Sequence, residues 1–170
     1  MPVVIQIIGA IAVIFWILSV QMKQKKNIIF FQLIANAFYS AQYFILQAPS
    51  AAFMNLISVA RFLVLYQYDK DKKIKNKPTI ILFFFILLIV LVGIFYVKTP
   101  LDIIPLGITL AYTLSTWQNN RKVLIWTFII AACIWIFYNI SVGAYSSLIG
   151  NAFEIISGAI ALIRIKNSKK

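Results

Sequence analysis

Seven apolar runs, each about long enough to cross a hydrocarbon core, divide this chain, with short polar or basic breaks between them. They are Val3–Gln21, Ile28–Leu46, Ala51–Tyr66, Thr79–Val97, Leu101–Thr116, Val123–Ile140 and Leu148–Ile165. In lipid, only helices and closed barrels satisfy their own backbone hydrogen bonds. Barrel strands alternate apolar and polar residues, whereas the stretch from Ile80 to Leu88 is apolar on every face. The pattern predicts an all-α membrane protein of seven transmembrane helices. The third and fifth runs are the weakest, interrupted by Asn55 and Arg61 in one and by Asp102 and Pro105 in the other. The fourth has no polar side chain between Ile80 and Phe95 and reads as a lipid-facing connector.

Charge decides the weak cases and sets a direction. Lys23, Lys25 and Lys26 fill the first connection, and Lys70, Lys72, Lys73, Lys75 and Lys77 the third. Arg121 and Lys122 fill the fifth, and Arg164, Lys166, Lys169 and Lys170 close the chain. The second and sixth connections carry no charge and the fourth only Lys98. Basic clusters in alternate connections, and so all on one side, fit the positive-inside rule for an N-out, C-in chain, and omitting one span would put a cluster on the wrong side. Arg61, near the inner end of its run, is expected to snorkel. With 62% hydrophobic and 12% charged residues, lipid and not water is the expected main solvent, against about 25% charged residues in soluble domains. The net charge of +12 is therefore topological, and nucleic acid is not an expected partner. The first run lacks the basic flank of a cleavable signal and is expected to remain.

Sliding the chain by 96 residues, the spacing of Asn55 and Asn151, lays runs one to three on runs five to seven without a gap. Lys25-Lys26 falls on Arg121-Lys122, Ala48 on Ala144, Ser50 on Ser146 and Tyr39 on Trp135. Three helices per unit would invert the second unit, and the extra fourth span restores a parallel orientation. The expectation is a 3+1+3 plan: residues 1–66 as the first three-helix repeat, 67–97 as a cytoplasmic loop with the linker helix, and 101–166 as the second repeat. Parallel repeats of this kind place a solute path between them near the midplane.

Polar residues inside spans are costly and so mark sites. Asn55, Ser58 and Arg61 share one face of the third run, and Asn151, Glu154 and Ser157 take related positions in the seventh. An asparagine pair across a pseudo-twofold axis suits a small polar solute, since each amide both donates and accepts. Tyr39 and Trp135 stand sixteen residues before the two asparagines and add aromatic faces for stacking. Asn36, beside Gln32 and Ser40, and Asn139, beside Tyr138, extend the candidate site. Two roles fit Glu154: an ion pair with Arg61, or a protonatable carboxyl coupling solute movement to H⁺. Asp102 is expected to cap its helix. Pro105, Gly107 and Gly9 read either as hinges of an outer gate or as close-packing points. The lone cysteine, Cys133, reads as a small packing residue. With no histidine and only four acids, no metal centre, cofactor or enzymatic machinery is expected.

These residues carry a resemblance. The 3+1+3 plan with paired asparagines resembles the SWEET and PQ-loop transporter superfamily, which implies a solute site at Asn55, Asn151 and Trp135, with Tyr39 in place of a tryptophan. Tyr39-Ser40-Ala41-Gln42-Tyr43-Phe44-Ile45-Leu46, Ala51-Ala52-Phe53-Met54-Asn55 with Arg61, Ile103-Ile104-Pro105, and Trp135-Ile136-Phe137-Tyr138-Asn139 with Gly143 are similar to the YgjV-type family of bacterial inner-membrane proteins. The Pro-Gln dipeptide that names the PQ-loop group is absent, as are inner-half prolines that sugar facilitators use as hinges. Arg121-Lys122 before a helix containing Trp126 also resembles PnuC-type vitamin transporters, which implies a nucleoside-like solute. The leading expectation is a small-solute transporter or facilitator in a bacterial plasma membrane, monomeric or homo-oligomeric. Its partners would be the lipid bilayer and a small polar solute. The competing class is a non-transporting scaffold or accessory protein, and a cavity reaching Asn55 and Asn151 discriminates the two.

Overall fold

A computed structural model describes residues 2–22, 25–70, 79–118 and 120–167. Seven α-helices form among them: α1 (Pro2–Gln21), α2 (Lys25–Ile45), α3 (Pro49–Lys70), α4 (Thr79–Tyr96), α5 (Ile103–Trp117), α6 (Arg121–Val142) and α7 (Tyr145–Asn167). All seven fall nearly where the apolar runs predict them. The greater part of the expected basic loop, from 71 to 78, and the terminal lysines at 169 and 170 lie outside the described residues.

Four helices are long and apolar enough to cross a bilayer: Pro49–Gln67, Thr79–Tyr96, Lys122–Val142 and Tyr145–Asn167, with Val3–Ser19 a shorter apolar helix. Two others fall short for identifiable reasons. α2 devotes Gln32, Asn36, Ser40 and Gln42 to the protein interior, which lowers its hydropathy. α5 has 15 residues and is about 22 Å long at 1.5 Å per residue. A short 3-10 turn, Pro100–Asp102, precedes it.

α2 packs along both α1 and α3, and α6 along both α5 and α7, so each triplet has its middle helix at the centre. α1 meets α7 and α3 meets α5 across the two triplets, while α4 packs against α3 and α5. α4 is largely exposed. Phe85, Ile89 and Gly93 turn inward to pack with Met54, Ile57 and Leu106, while Ile80, Phe83, Ile94 and Phe95 face outward. Gly93 packs closely there: a Cβ would stand 2.8 Å from Leu106 Cδ1, and Leu106 would have to turn aside.

The two triplets share a backbone device. α2 ends with Gln47 at φ 55° and α6 with Gly143 at φ 78°, both left-handed caps. The amide of Ala48 donates to Tyr43 O at 2.9 Å, and that of Ala144 to Asn139 O at 2.9 Å. Each cap also donates three residues back, Gln47 to Phe44 O and Gly143 to Ile140 O. Every residue in the first turn has its counterpart in the second at the spacing of Tyr43 and Asn139, 96 positions. Small residues let these ends close tightly: Ala48, Ala51, Ala52 and Ala144 form a buried cluster with Tyr43 and Tyr138.

Several local expectations are corrected. Pro105 is in the first turn of α5, where a missing N–H costs no intrahelical bond, so it makes no mid-helix kink. Gly9 is a close-packing point: an added Cβ would collide with Ser146 Oγ and the Gln42 amide. Gly107 meets nothing within 4 Å. Cys133 is exposed on the outside of α6 and is not a packing residue. Asp102 precedes α5 without a side-chain cap bond to it. Its carboxylate instead accepts from the Thr99 amide at 2.9 Å and hydroxyl at 2.8 Å, because the 3-10 turn sets it facing back along the chain.

Candidate functional site

A cavity of about 440 Å³ is lined by α1, α2, α3, α5, α6 and α7, and not by α4. Its wall runs from Gln118 and Asn120, both exposed at the α5–α6 connection, to Tyr43, Asn139 and Ser147, buried beneath the two left-handed turns. One end is thus open at the surface and the other ends blind. The size suits a small organic solute, at the lower end of ligand pockets of about 300–1,000 Å³.

All eight residues singled out from the sequence lie on this wall: Asn36, Tyr39, Asn55, Arg61, Trp135, Asn139, Asn151 and Glu154. α2 supplies Asn36 and Tyr39, α3 Asn55 and Arg61, α6 Trp135 and Asn139, and α7 Asn151 and Glu154. Helical spacing explains the convergence, since residues three or four apart share a face. The two central asparagines are not bonded to each other. Asn55 donates to Ala51 O of its own helix at 2.8 Å, and Asn151 accepts from Asn139 Nδ2 at 2.9 Å. Asn36 likewise donates to Gln32 O at 2.7 Å. Each amide therefore keeps hydrogen-bonding capacity beyond its one protein bond.

The aromatic pair is unequal. Trp135 stacks on Tyr43 with ring centroids 5.8 Å apart and planes at 18°, and meets Tyr138 edge-on at 5.3 Å. Tyr39 lies against bare backbone instead: a Cβ at Gly150 would stand 2.9 Å from its hydroxyl. Gly150 leaves room for this hydroxyl against α7.

The Glu154–Arg61 pair does not form. Arg61 donates from Nη1 to Thr113 Oγ1 at 2.6 Å, and Glu154 accepts from the Tyr112 hydroxyl at 3.2 Å. Neighbouring residues of α5 thus intercept the two charges. Arg61 also does not snorkel. α3 continues to Lys70, which leaves Arg61 well inside the helix and only 3% exposed.

The blind end is sealed by polar contacts that sequence reasoning did not weigh. Gln6 donates to Gly143 O at 2.8 Å and accepts from the Ser146 amide at 2.9 Å. Gln42 donates to Ser146 Oγ and accepts from Ser147 Oγ, both at 3.0 Å. Ser50 donates to Asp102 at 2.9 Å, and the Tyr43 hydroxyl to Asn139 Oδ1 at 2.6 Å. The signal was present: Gln6 and Gln42 are long amides inside apolar helices, and the cost of burying them demands partners. These contacts join the triplets in a related pattern. Gln6 and Asp102 occupy matching positions under the 96-residue offset, as do Ser50 and Ser146, so Gln6–Ser146 and Asp102–Ser50 are counterparts.

Asp102 stands outside the helical spans. Partial burial alone raises its pKa, but hydrogen bonds from Thr99, Ser50 and the Lys98 amide outweigh this and hold it below the ordinary carboxylate range.

No curated protein and no solved structure matches the chain. A family of bacterial inner membrane proteins, Imp-YgjV, has a model that matches residues 3–169. That span holds every element of the cavity and of its sealed end, and the apolar helices fit the family's location. The chain belongs to the Imp-YgjV family and is a bacterial inner membrane protein.

Proposed function

We propose that this protein is a small-solute transporter or facilitator with seven transmembrane helices in a 3+1+3 plan, N-out and C-in. The carrying observation is the cavity of about 440 Å³ between the triplets, which reaches both Asn55 and Asn151. A scaffold needs no such chamber, and a dry bundle would bond both asparagines helix to helix. The paired left-handed turns, and the matching Gln6–Ser146 and Asp102–Ser50 contacts, support two parallel repeats about a pseudo-twofold axis. The basic clusters favour an orientation with the open end, at Gln118 and Asn120, on the cytoplasmic side. The chain is then in an inward-facing state, with the hydrogen-bonded layer as its closed outer gate. Alternating access would break that layer and close the cavity from the other side. The plan and the asparagine pair also favour kinship with the SWEET and PQ-loop superfamily.

A thermal-shift screen of purified protein against sugars, nucleosides, vitamins and amino acids tests this reading. A binding solute should lose at least about tenfold in affinity in Asn55→Ala and Asn151→Ala, one lost polar contact being worth about 1.4 kcal/mol. Ligands indifferent to both substitutions would place the site elsewhere. Absence of any ligand would favour the scaffold.

A further inference from the structure

We infer that the solute carries one anionic group, a carboxylate or similar oxyanion on a planar or aromatic body, and that Arg61 receives it. This rests on the transport reading of the same cavity. The observation is an unneutralised cation in the cavity wall. Arg61 is 3% exposed and forms no salt bridge with a described residue. Its Nη1 bonds Thr113, its Nε is buried with no hydrogen-bond partner, and Nη2 makes no hydrogen bond to a described residue. A guanidinium offers five donors and stays charged.

Burying such a charge is expensive unless it is paired and hydrogen-bonded. A tie between α3 and α5 explains only the one bond to Thr113, which a neutral amide could also make. The Phe62 ring, 5.4 Å from the guanidinium carbon, eases the burial but neither neutralises the charge nor fills the idle edge of the fork, and these match a carboxylate, which takes two parallel N–H bonds. A small rotation of the guanidinium would bring Nε onto an incoming oxyanion. The rest of the solute would lie among the aromatic rings of Tyr39, Tyr112 and Trp135 on the same wall.

The test uses matched pairs on the purified full chain: benzoate against benzamide, and nicotinate against nicotinamide, with phenylalanine as the zwitterionic arm and inorganic phosphate as the free-anion arm. Each carboxylate should bind at least about tenfold tighter than its amide, the size of one charge-assisted hydrogen bond. Arg61→Met should abolish that preference while leaving amide binding, and Arg61→Lys, which keeps charge without the fork, should retain part of it. Asn55→Ala should weaken both members of a pair alike. A preference of the same size in folded Arg61→Met, or equal binding of acid and amide to wild type, overturns the inference. If Arg61→Met does not fold, the wild-type and Arg61→Lys preferences decide. If only uncharged solutes bind, this inference fails and the transport reading stands. If nothing of any charge binds, both fail.

Discussion

Replacing Gln42 by leucine should open the sealed end of the cavity. Gln42 is fully buried and spans the triplets through two bonds of 3.0 Å, to Ser146 and from Ser147. Leucine keeps a side chain of similar size over Gly9 but deletes both bonds. Hydrogen bonds between membrane helices average about 0.6 kcal/mol and reach about 1.7. Two of them give about 1.2–3.4 kcal/mol, which raises the open-to-closed ratio by about 8- to 300-fold at about tenfold per 1.4 kcal/mol. The assay needs a thiol in the cavity wall and none elsewhere. Cys133 is the sole cysteine, so Cys133→Ala with Asn55→Cys provides it. An impermeant methanethiosulfonate applied to spheroplasts reaches the outer face alone, and its reaction rate scales with the open fraction. Gln42→Leu should raise that rate by the computed factor. General loosening is separated by Ile89→Cys, fully buried between helices away from the path, which should stay protected. An unchanged rate at Asn55→Cys, or an equal rise at Ile89→Cys, would refute the gate.

Three other outcomes follow from single observations. Gly150→Ala should lower thermal stability by about 1–3 kcal/mol through overpacking, since the new Cβ would press on the Tyr39 hydroxyl at 2.9 Å. Adding Tyr39→Phe should recover much of the loss in a detergent melting assay, and no recovery would locate the clash at Val13 instead. The two turn positions should respond oppositely: Gly143→Ala destabilises and Gln47→Gly stabilises, each by about 1 kcal/mol, because both need a left-handed φ. Equal signs in denaturant midpoints would contradict that account. Asp102 has a depressed carboxylate pKa, so its contribution is complete above the unfolded value near about 4 and is lost as pH falls through the lower folded value. Melting between pH 6 and pH 3 should show an acid-side loss in wild type that is smaller in Asp102→Asn, and identical acid limbs would remove Asp102 as the cause.

Helix number and position were legible because lipid imposes a length and a composition on each segment, and a run such as Ile80–Leu88 satisfies both on every face. Depth was legible too, since the rise per residue is fixed: residues on the same wall, such as Asn55, Asn151 and Glu154, could be set at related levels from spacing alone. Rotation about the helix axis was not. Mostly apolar helices give little sign of which side faces a neighbour, so the level of Arg61 and Glu154 suggested a pair, while Tyr112 and Thr113 on α5 in fact take one charge each. The same gap hid Gln6 and Gln42, whose partners sit on the opposite triplet. Under the proposed 3+1+3 plan, joining the triplets in one chain would make the site richer than its symmetry. On the proposed repeat, Tyr43 and Asn139 are the same position, and they bond each other, so the pseudo-twofold axis passes between them. Two copies of a single triplet would set tyrosine against tyrosine, or asparagine against asparagine. A fused chain can place a hydroxyl donor on one side and an amide on the other. That amide accepts from Tyr43 and passes its own N–H to Asn151, linking the sealed end to the cavity wall by a route that a symmetric pair does not have.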